Sequence, residues 1–151
     1  MTQALFITMF IRLNENPYDQ LVGDCTVRAI STFLNQDWDT TYIGLVVEGF
    51  VSKDMPNSNR VWGDYLEHRG FVKELIPNTC PNCYTIRDFC HDHLKGRYLL
   101  ATGTHVVTVI NGDYYDAYDS GDMVPIYYCT DLHSGNKAAG CTASDTDLAQ
   151  P

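Results

Sequence analysis

Residue types able to carry out acyl transfer stand in order along this chain: Cys25, then His105, then Asp116 and Asp119. Cys25 follows a Gly23-Asp24 pair and opens a helical pattern in which Val27, Ile30, Ser31 and Leu34 fall on one face. Asp24 reads as the N-cap, which puts Cys25 in the first helical turn. A thiol there meets unsatisfied backbone N–H groups and the positive end of the helix dipole, and both favour the thiolate, the form that attacks carbon. Arg28, one turn on, would add positive charge. His105 is the candidate general base, taking the thiol proton and later giving it to the leaving group. The bland alternatives are a buried structural cysteine and a satisfied core histidine. The other histidines stand in weaker places: His68 on a charged helix face beside Glu67 and Arg69, His91 and His93 by a short helix, His133 in the tail.

An aspartate accepting from the far ring nitrogen would fix the tautomer and stabilise the imidazolium. Residues 105–111 and 113–119 read as a hairpin, and its register decides which aspartate qualifies. If Asn111-Gly112 is a two-residue type I′ turn, residue 118 faces 105 and Asp116 shares the histidine's face. If the loop is Ile110-Asn111-Gly112 with a glycine bulge, residue 117 faces 105 and Asp119 shares that face. The second register also aligns Val107 and Val109 with Tyr115 and Ala117, the less polar set. Asp113 and Asp122 read as turn residues.

Cysteine at a helix start, histidine on a strand and aspartate on the next strand, in that chain order, resemble the papain-like cysteine hydrolases. The chain is most similar to small bacterial and phage members related to the bacteriocin-processing peptidases of ABC exporters, which also carry Asp-Cys at the nucleophile. The resemblance spans residues 16–128 and rests on the two stretches around Cys25 and His105. It implies a minimal papain-like fold with the site in a cleft between a helical half and a sheet half. It also implies a thioester acyl-enzyme. In these relatives the aspartate ends its strand just before a turn, as Asp119-Ser120-Gly121 does, so the resemblance favours Asp119. It further implies that a glutamine five or six residues before the cysteine joins the Cys25 N–H in binding the oxyanion. Gln20 fills that place, with Asn16 as the fallback.

At 151 residues and 44% hydrophobic content, the chain has enough apolar material for one domain with a real core. A net charge of −9 argues against a nucleic-acid-binding surface, though not against an acidic decoy for one. No apolar run is long enough to span a membrane. Without a basic n-region and a small-residue cleavage site at the N-terminus, a cytoplasmic protein is expected. Six cysteines, at 25, 80, 83, 90, 129 and 141, are therefore expected as free thiols. Cys80-Pro81-Asn82-Cys83, with Cys90 and His93 nearby, has half the pattern of a zinc or redox site. The spacing is irregular, and a plain turn with buried thiols is the preferred reading. No metal or other cofactor is expected.

The positioning elements follow from pattern and caps. A strand is expected over 4–13 and a helix over 25–35. A second helix, over 40–52, is capped by Asp39-Thr40-Thr41 and turns Tyr42, Leu45, Val46 and Gly49 to one face. Ser58 caps a third to Arg69, with Val61, Trp62, Tyr65 and Leu66 apolar and Gly70 closing it. A strand over 71–76 and a Thr85-capped helix to Leu94 precede strands at 97–102, the hairpin, and 124–129. Helices first and strands later indicate α+β, with N-terminal helices packed on a C-terminal antiparallel sheet. Residues 1–130 form the domain. The small, polar stretch 131–151 is expected as a disordered tail. The expected function is a cysteine-dependent hydrolase, a thiol peptidase or amidase acting on a peptide or protein substrate. The alternative is a catalytically idle papain-like module or an acidic binding or inhibitor protein acting on a protein partner.

Overall fold

The computed structural model describes residues 7–131. The start of the first expected strand, His133, Cys141 and nearly all of the expected tail lie outside the described residues. Helix α1 (Cys25–Leu34) and helix α3 (Asn59–Glu67) match their patterns, and Ser58 accepts from the Val61 N–H as α3's cap. Helix α2 (Trp38–Ser52) starts two residues before its expected bound. Its cap is Asp37, whose carboxylate accepts from Thr40 N–H, and not the Asp39-Thr40-Thr41 run. Helix α4 (Ile86–Asp92) is held by a reciprocal capping box between Thr85 and Asp88.

The strands are β1 (Phe10–Arg12), β2 (Phe71–Leu75), β3 (Arg97–Ala101), β4 (Val106–Ile110), β5 (Asp113–Asp116) and β6 (Tyr127–Asp131). They form one sheet in the order β1-β5-β4-β3-β6-β2. The sheet is not wholly antiparallel as expected, because β1 runs parallel to β5, with Phe10 opposite Tyr114 and Arg12 opposite Asp116. A parallel pair needs a long crossover, and the helices between β1 and β5 supply it.

Side-chain alternation along β3 separates two cores. Leu99 and Ala101 join Val27, Ile30, Phe33, Leu45, Trp62 and Leu66 beneath α1, α2 and α3. Tyr98 and Leu100 face the other way and pack with Ile86, Phe89 and Cys90 of α4. The helices therefore lie on both faces of the sheet, not on one. The α+β class holds, as a mixed six-stranded open sheet with four helices among the described residues.

Helix α1 crosses β4 and is pinned at both ends of that contact. Thr108 Oγ1 donates to the Ala29 carbonyl at 2.6 Å, and Arg97 from β3 donates to the Thr32 and Phe33 carbonyls at 2.8 and 3.1 Å. The guanidinium thus satisfies orphan carbonyls at the helix C-terminus. With α1 fixed on β4, its first residue lies next to the start of β4, which is where His105 is.

Candidate active site

Cys25 opens α1 and is half-buried. Asp24 occupies the N-cap position, but its side chain makes no capping bond. Its carboxylate is a buried hub that accepts from the Arg28 guanidinium, from Asn16 Nδ2 at 2.9 Å and from Trp38 Nε1 at 3.0 Å. This arrangement changes two expectations. Arg28 does not lend free positive charge to the thiol, since its charge is spent on Asp24 in a buried ion pair. The first-turn N–H groups of α1, for their part, are left uncapped by that side chain beside the thiol.

His105 ends a tight connection from β3. Its N–H donates to Thr102 Oγ1 at 2.9 Å, and Thr102 N–H donates to its carbonyl at 2.8 Å. The hairpin that follows has Ile110 opposite Asp113, with Asn111 (φ 52°) and Gly112 (φ 85°) between them. Positive φ at both central residues is the type I′ turn. A Cβ is strained at φ 85°, which is why glycine is needed at the second position. This register puts Asp116 on the histidine's face.

His105 Nε2 and Asp116 Oδ2 are 2.6 Å apart and both side chains are buried. Asp116 also accepts from Ser120 Oγ at 2.6 Å and from the Ala117 N–H at 2.7 Å. The expected choice of Asp119 is corrected by this geometry. Asp119 faces Arg87, which donates to both its oxygens at 2.9 and 2.8 Å, and it accepts from the Tyr114 hydroxyl and the Gly121 N–H. The Tyr114 hydroxyl, the Gly121 N–H and Arg87 hold its carboxyl down at about 2. Asp119 fastens the 119–122 turn to the start of α4, and its bonds run to Arg87, Tyr114 and Gly121 and not to the imidazole.

Cys25 and His105 line the same recess, and each shifts the titration of the other. Asp116 holds Nε2, which leaves Nδ1 as the ring nitrogen for the thiol, a position that the Tyr118 hydroxyl, 3.2 Å away, also reaches. Burial pushes the thiol pKa up, but the hydrogen bond and charge of His105, with the Val106 N–H and Thr26 hydroxyl, outweigh it. The net pKa lies below the ordinary thiol value. Burial pushes His105 down, and the bonds to Asp116 and Cys25 carry it up to about 9. The other shifts run opposite: burial raises Cys129 to about 11 and Cys90 to about 12, and the neighbouring Cys83 thiol raises Cys80.

Gln20 does not take up the expected oxyanion role in this arrangement. It is exposed, its carbonyl accepts from Asn14 Nδ2 at 3.1 Å, and it lines neither recess described below. The fallback, Asn16, is buried and committed to Asp24 and the Tyr18 N–H. Two residues that sequence reasoning missed do reach the site. Ser120 supports Asp116, and the Tyr118 hydroxyl lies 3.2 Å from His105 Nδ1. The two-residue-turn register, which sets residue 118 opposite 105, was the signal for Tyr118; Ser120 lies past the end of β5 and had none.

A recess of about 170 Å³ opens at Cys25 and His105, walled by Thr26, Asn57 and the 102–104 turn. A second, of about 210 Å³, shares Gly23, Thr26 and Asn57 with it and is lined by Val27, Tyr42, Met55 and Pro56. A third and larger recess, about 470 Å³, lies between α3 and strands β2 and β6. It holds no histidine, and its one cysteine, Cys129, is the buried thiol pushed up to about 11.

Cys80 and Cys83 are exposed with sulfurs 3.5 Å apart, and Cys90 is buried under α4. Among the described residues no three His, Cys, Asp or Glu side chains gather as a metal site would need. No described helix is long and apolar enough to cross a membrane. Compared with models of protein families, with curated proteins and with solved structures, the chain finds no match.

Proposed function

We propose that this chain is a cysteine-dependent hydrolase of peptide or related amide bonds, with Cys25 as nucleophile, His105 as acid and base, and Asp116 as the group that orients His105. The observation that carries this reading is geometric: His105 Nε2 lies 2.6 Å from the buried Asp116 carboxylate, and Cys25 lines the same recess as His105. The Cys25 thiol is pulled below its ordinary value while the His105 imidazole is raised to about 9, each with the other among its causes. Both shifts favour a thiolate beside an imidazolium over a neutral pair.

The thiolate sulfur attacks the acyl carbon and forms the new C–S bond. The carbonyl oxygen takes up the negative charge beside the uncapped N–H groups of α1's first turn. Collapse of the tetrahedral intermediate breaks the C–N bond, and His105 Nδ1 gives its proton to the leaving nitrogen. Water, deprotonated by the now neutral His105, attacks the thioester carbon; the C–S bond breaks, the acid leaves, and the Cys25 thiolate is restored beside protonated His105. Asp116 accepts from Nε2 throughout, so the ring presents Nδ1 to the sulfur. The active form needs Cys25 deprotonated and His105 protonated. The rate should fall as pH drops through the lowered thiol pKa, and fall again as pH rises through about 9.

The substrate enters this reading only as a class, since a fold and a set of catalytic side chains do not fix it. The test is a peptide library incubated with the protein and read by mass spectrometry for new termini. Cleavages are expected that vanish with Cys25→Ala and with His105→Ala. A library left intact by the wild type, or cut equally by Cys25→Ala, would overturn the reading.

A further inference from the structure

Helix α2 is apolar on nearly every side, yet only part of it is covered. Thr41, Leu45 and Gly49 face inward and are buried. Tyr42 and Val46, expected on that inner face, point outward instead. A helix that is apolar all round is ordinarily buried all round. Here Ile43, Val46, Val47, Phe50 and Val51 are 37–72% exposed, with Tyr42 and Met55 at the rim. Their positions span about half the helix circumference at 100° per residue. The sole charged side chain between residues 40 and 52 is Glu48, and it turns aside to His68, 3.3 Å away. The face is therefore a continuous apolar strip whose one charge is the Lys53 ammonium over Phe50 at its C-terminal end, and a strip of this kind marks an interaction surface.

We propose that this strip is the interface of a two-fold dimer, in which α2 of one copy lies antiparallel on α2 of a second. Three observations favour a second copy over other occupants. The first is charge. The N-terminal end of α2 carries Asp37 and Asp39, while at the C-terminal end Lys53 stands with its ammonium 4.1 Å over the Phe50 ring. There, Asp54 is already paired with Arg60. An antiparallel pair sets the acidic end of each helix against the cationic end of the other and opposes the two helix dipoles. The second is shape. A two-fold axis passing between Val46 and Val47 lays Ile43 of one copy over Phe50 of the other, so the strip is complementary to itself, as an isologous contact requires. The third is size: seven large side chains with this exposure present an area on the order of the ~800 Å² per partner that a specific interface buries. A membrane is the weaker occupant, because a chain of net charge −9 is repelled by an anionic lipid surface.

The experiment is sedimentation of the full chain at micromolar to hundreds of micromolar concentration, with Val47→Glu and Val47→Lys beside it. The wild type is expected at twice the chain mass. Each variant alone is expected at one chain mass, with its far-UV circular dichroism unchanged. Mixing the Glu and Lys variants is expected to restore the doubled mass, because residue 47 of each copy lies by the axis and opposite charges then meet; that readout holds even if either variant is somewhat destabilised. A monomeric wild type across the range overturns the proposal, as does a Val47→Glu protein that remains dimeric. A monomeric wild type that floats with neutral phosphatidylcholine vesicles would overturn it in favour of a lipid surface.

Discussion

Asp116 and Asp119 are three residues apart and meet different neighbours. Asp116 is buried and gathers His105, Ser120 and a backbone N–H. Asp119 is about half exposed and gathers Arg87 and Tyr114. A carboxylate that fixes a histidine's tautomer must be held still itself, and three donors on Asp116 do that. Asp116→Asn should therefore cut kcat/KM by roughly 10²–10⁴-fold, the range over which general acid–base groups act. Asp119→Asn should leave kcat/KM close to wild type. Steady-state kinetics on any substrate found for the protein checks both, and a larger loss in Asp119→Asn would contradict the assignment. The two aspartates were not separable from residue types alone. The apolar alignment of Val107 and Val109 with Tyr115 and Ala117 pointed to the glycine-bulge register. The Asn-Gly pair, with positive φ at both residues, decided for the two-residue turn.

At the scale of elements, the site depends on how α1 begins. The sequence correctly indicated a helix starting at Cys25, because the apolar spacing of Val27 and Ile30 is unambiguous. It misassigned Asp24, whose side chain could cap locally but instead reaches Arg28, Asn16 and Trp38. Long-range partners of this kind leave no mark in a local pattern, and the same holds for α2, whose inner face is Thr41, Leu45 and Gly49. Gly49 is inward because a Cβ there would sit 2.7 Å from the Asp54 carbonyl oxygen, a contact visible only once the chain has turned back. Removing one partner of a buried ion pair leaves the other charge uncompensated. Asp24→Ala is expected to destabilise the protein by about 3–5 kcal/mol. Urea denaturation measures this, and a loss below about 1 kcal/mol, as for a surface pair, would show that Asp24 is not the hub described.

Across the whole molecule, the α+β class was legible because helical and strand periods are segregated along the chain. The expected two-sided arrangement, helices against sheet, was too simple. The sheet carries helices on both faces, and β1 adds a parallel edge that short local patterns do not reveal. Strand β3 serves both cores through neighbouring residues, Leu99 towards α1–α3 and Leu100 towards α4. Both are fully buried. Leu99→Ala and Leu100→Ala should each cost about 2–5 kcal/mol, and unfolding should stay a single transition by both circular dichroism and tryptophan fluorescence. Two separated transitions would mean that the α4 layer is an independent unit. The layered packing also explains why a thiol at a helix start and a histidine just before β4 line one recess: α1 is clamped to β3 and β4 by Arg97 and Thr108.

The central claim, a thiolate held by an imidazolium at Cys25, is tested most directly by iodoacetamide alkylation of each cysteine across pH 5–10. Mass spectrometry would read the reaction residue by residue in wild type and His105→Ala. The sign follows from the opposing effects on the thiol: His105 lowers its pKa and burial raises it. Cys25 should stay reactive below the ordinary thiol value near pH 8.5. In His105→Ala the midpoint should move upward to or above that value, because burial then acts against fewer compensating bonds. Cys90 and Cys129, pushed up to about 12 and about 11, should remain inert over the same range in both proteins. A Cys25 midpoint at the ordinary thiol value in the wild type, or one unmoved by His105→Ala, would contradict the account.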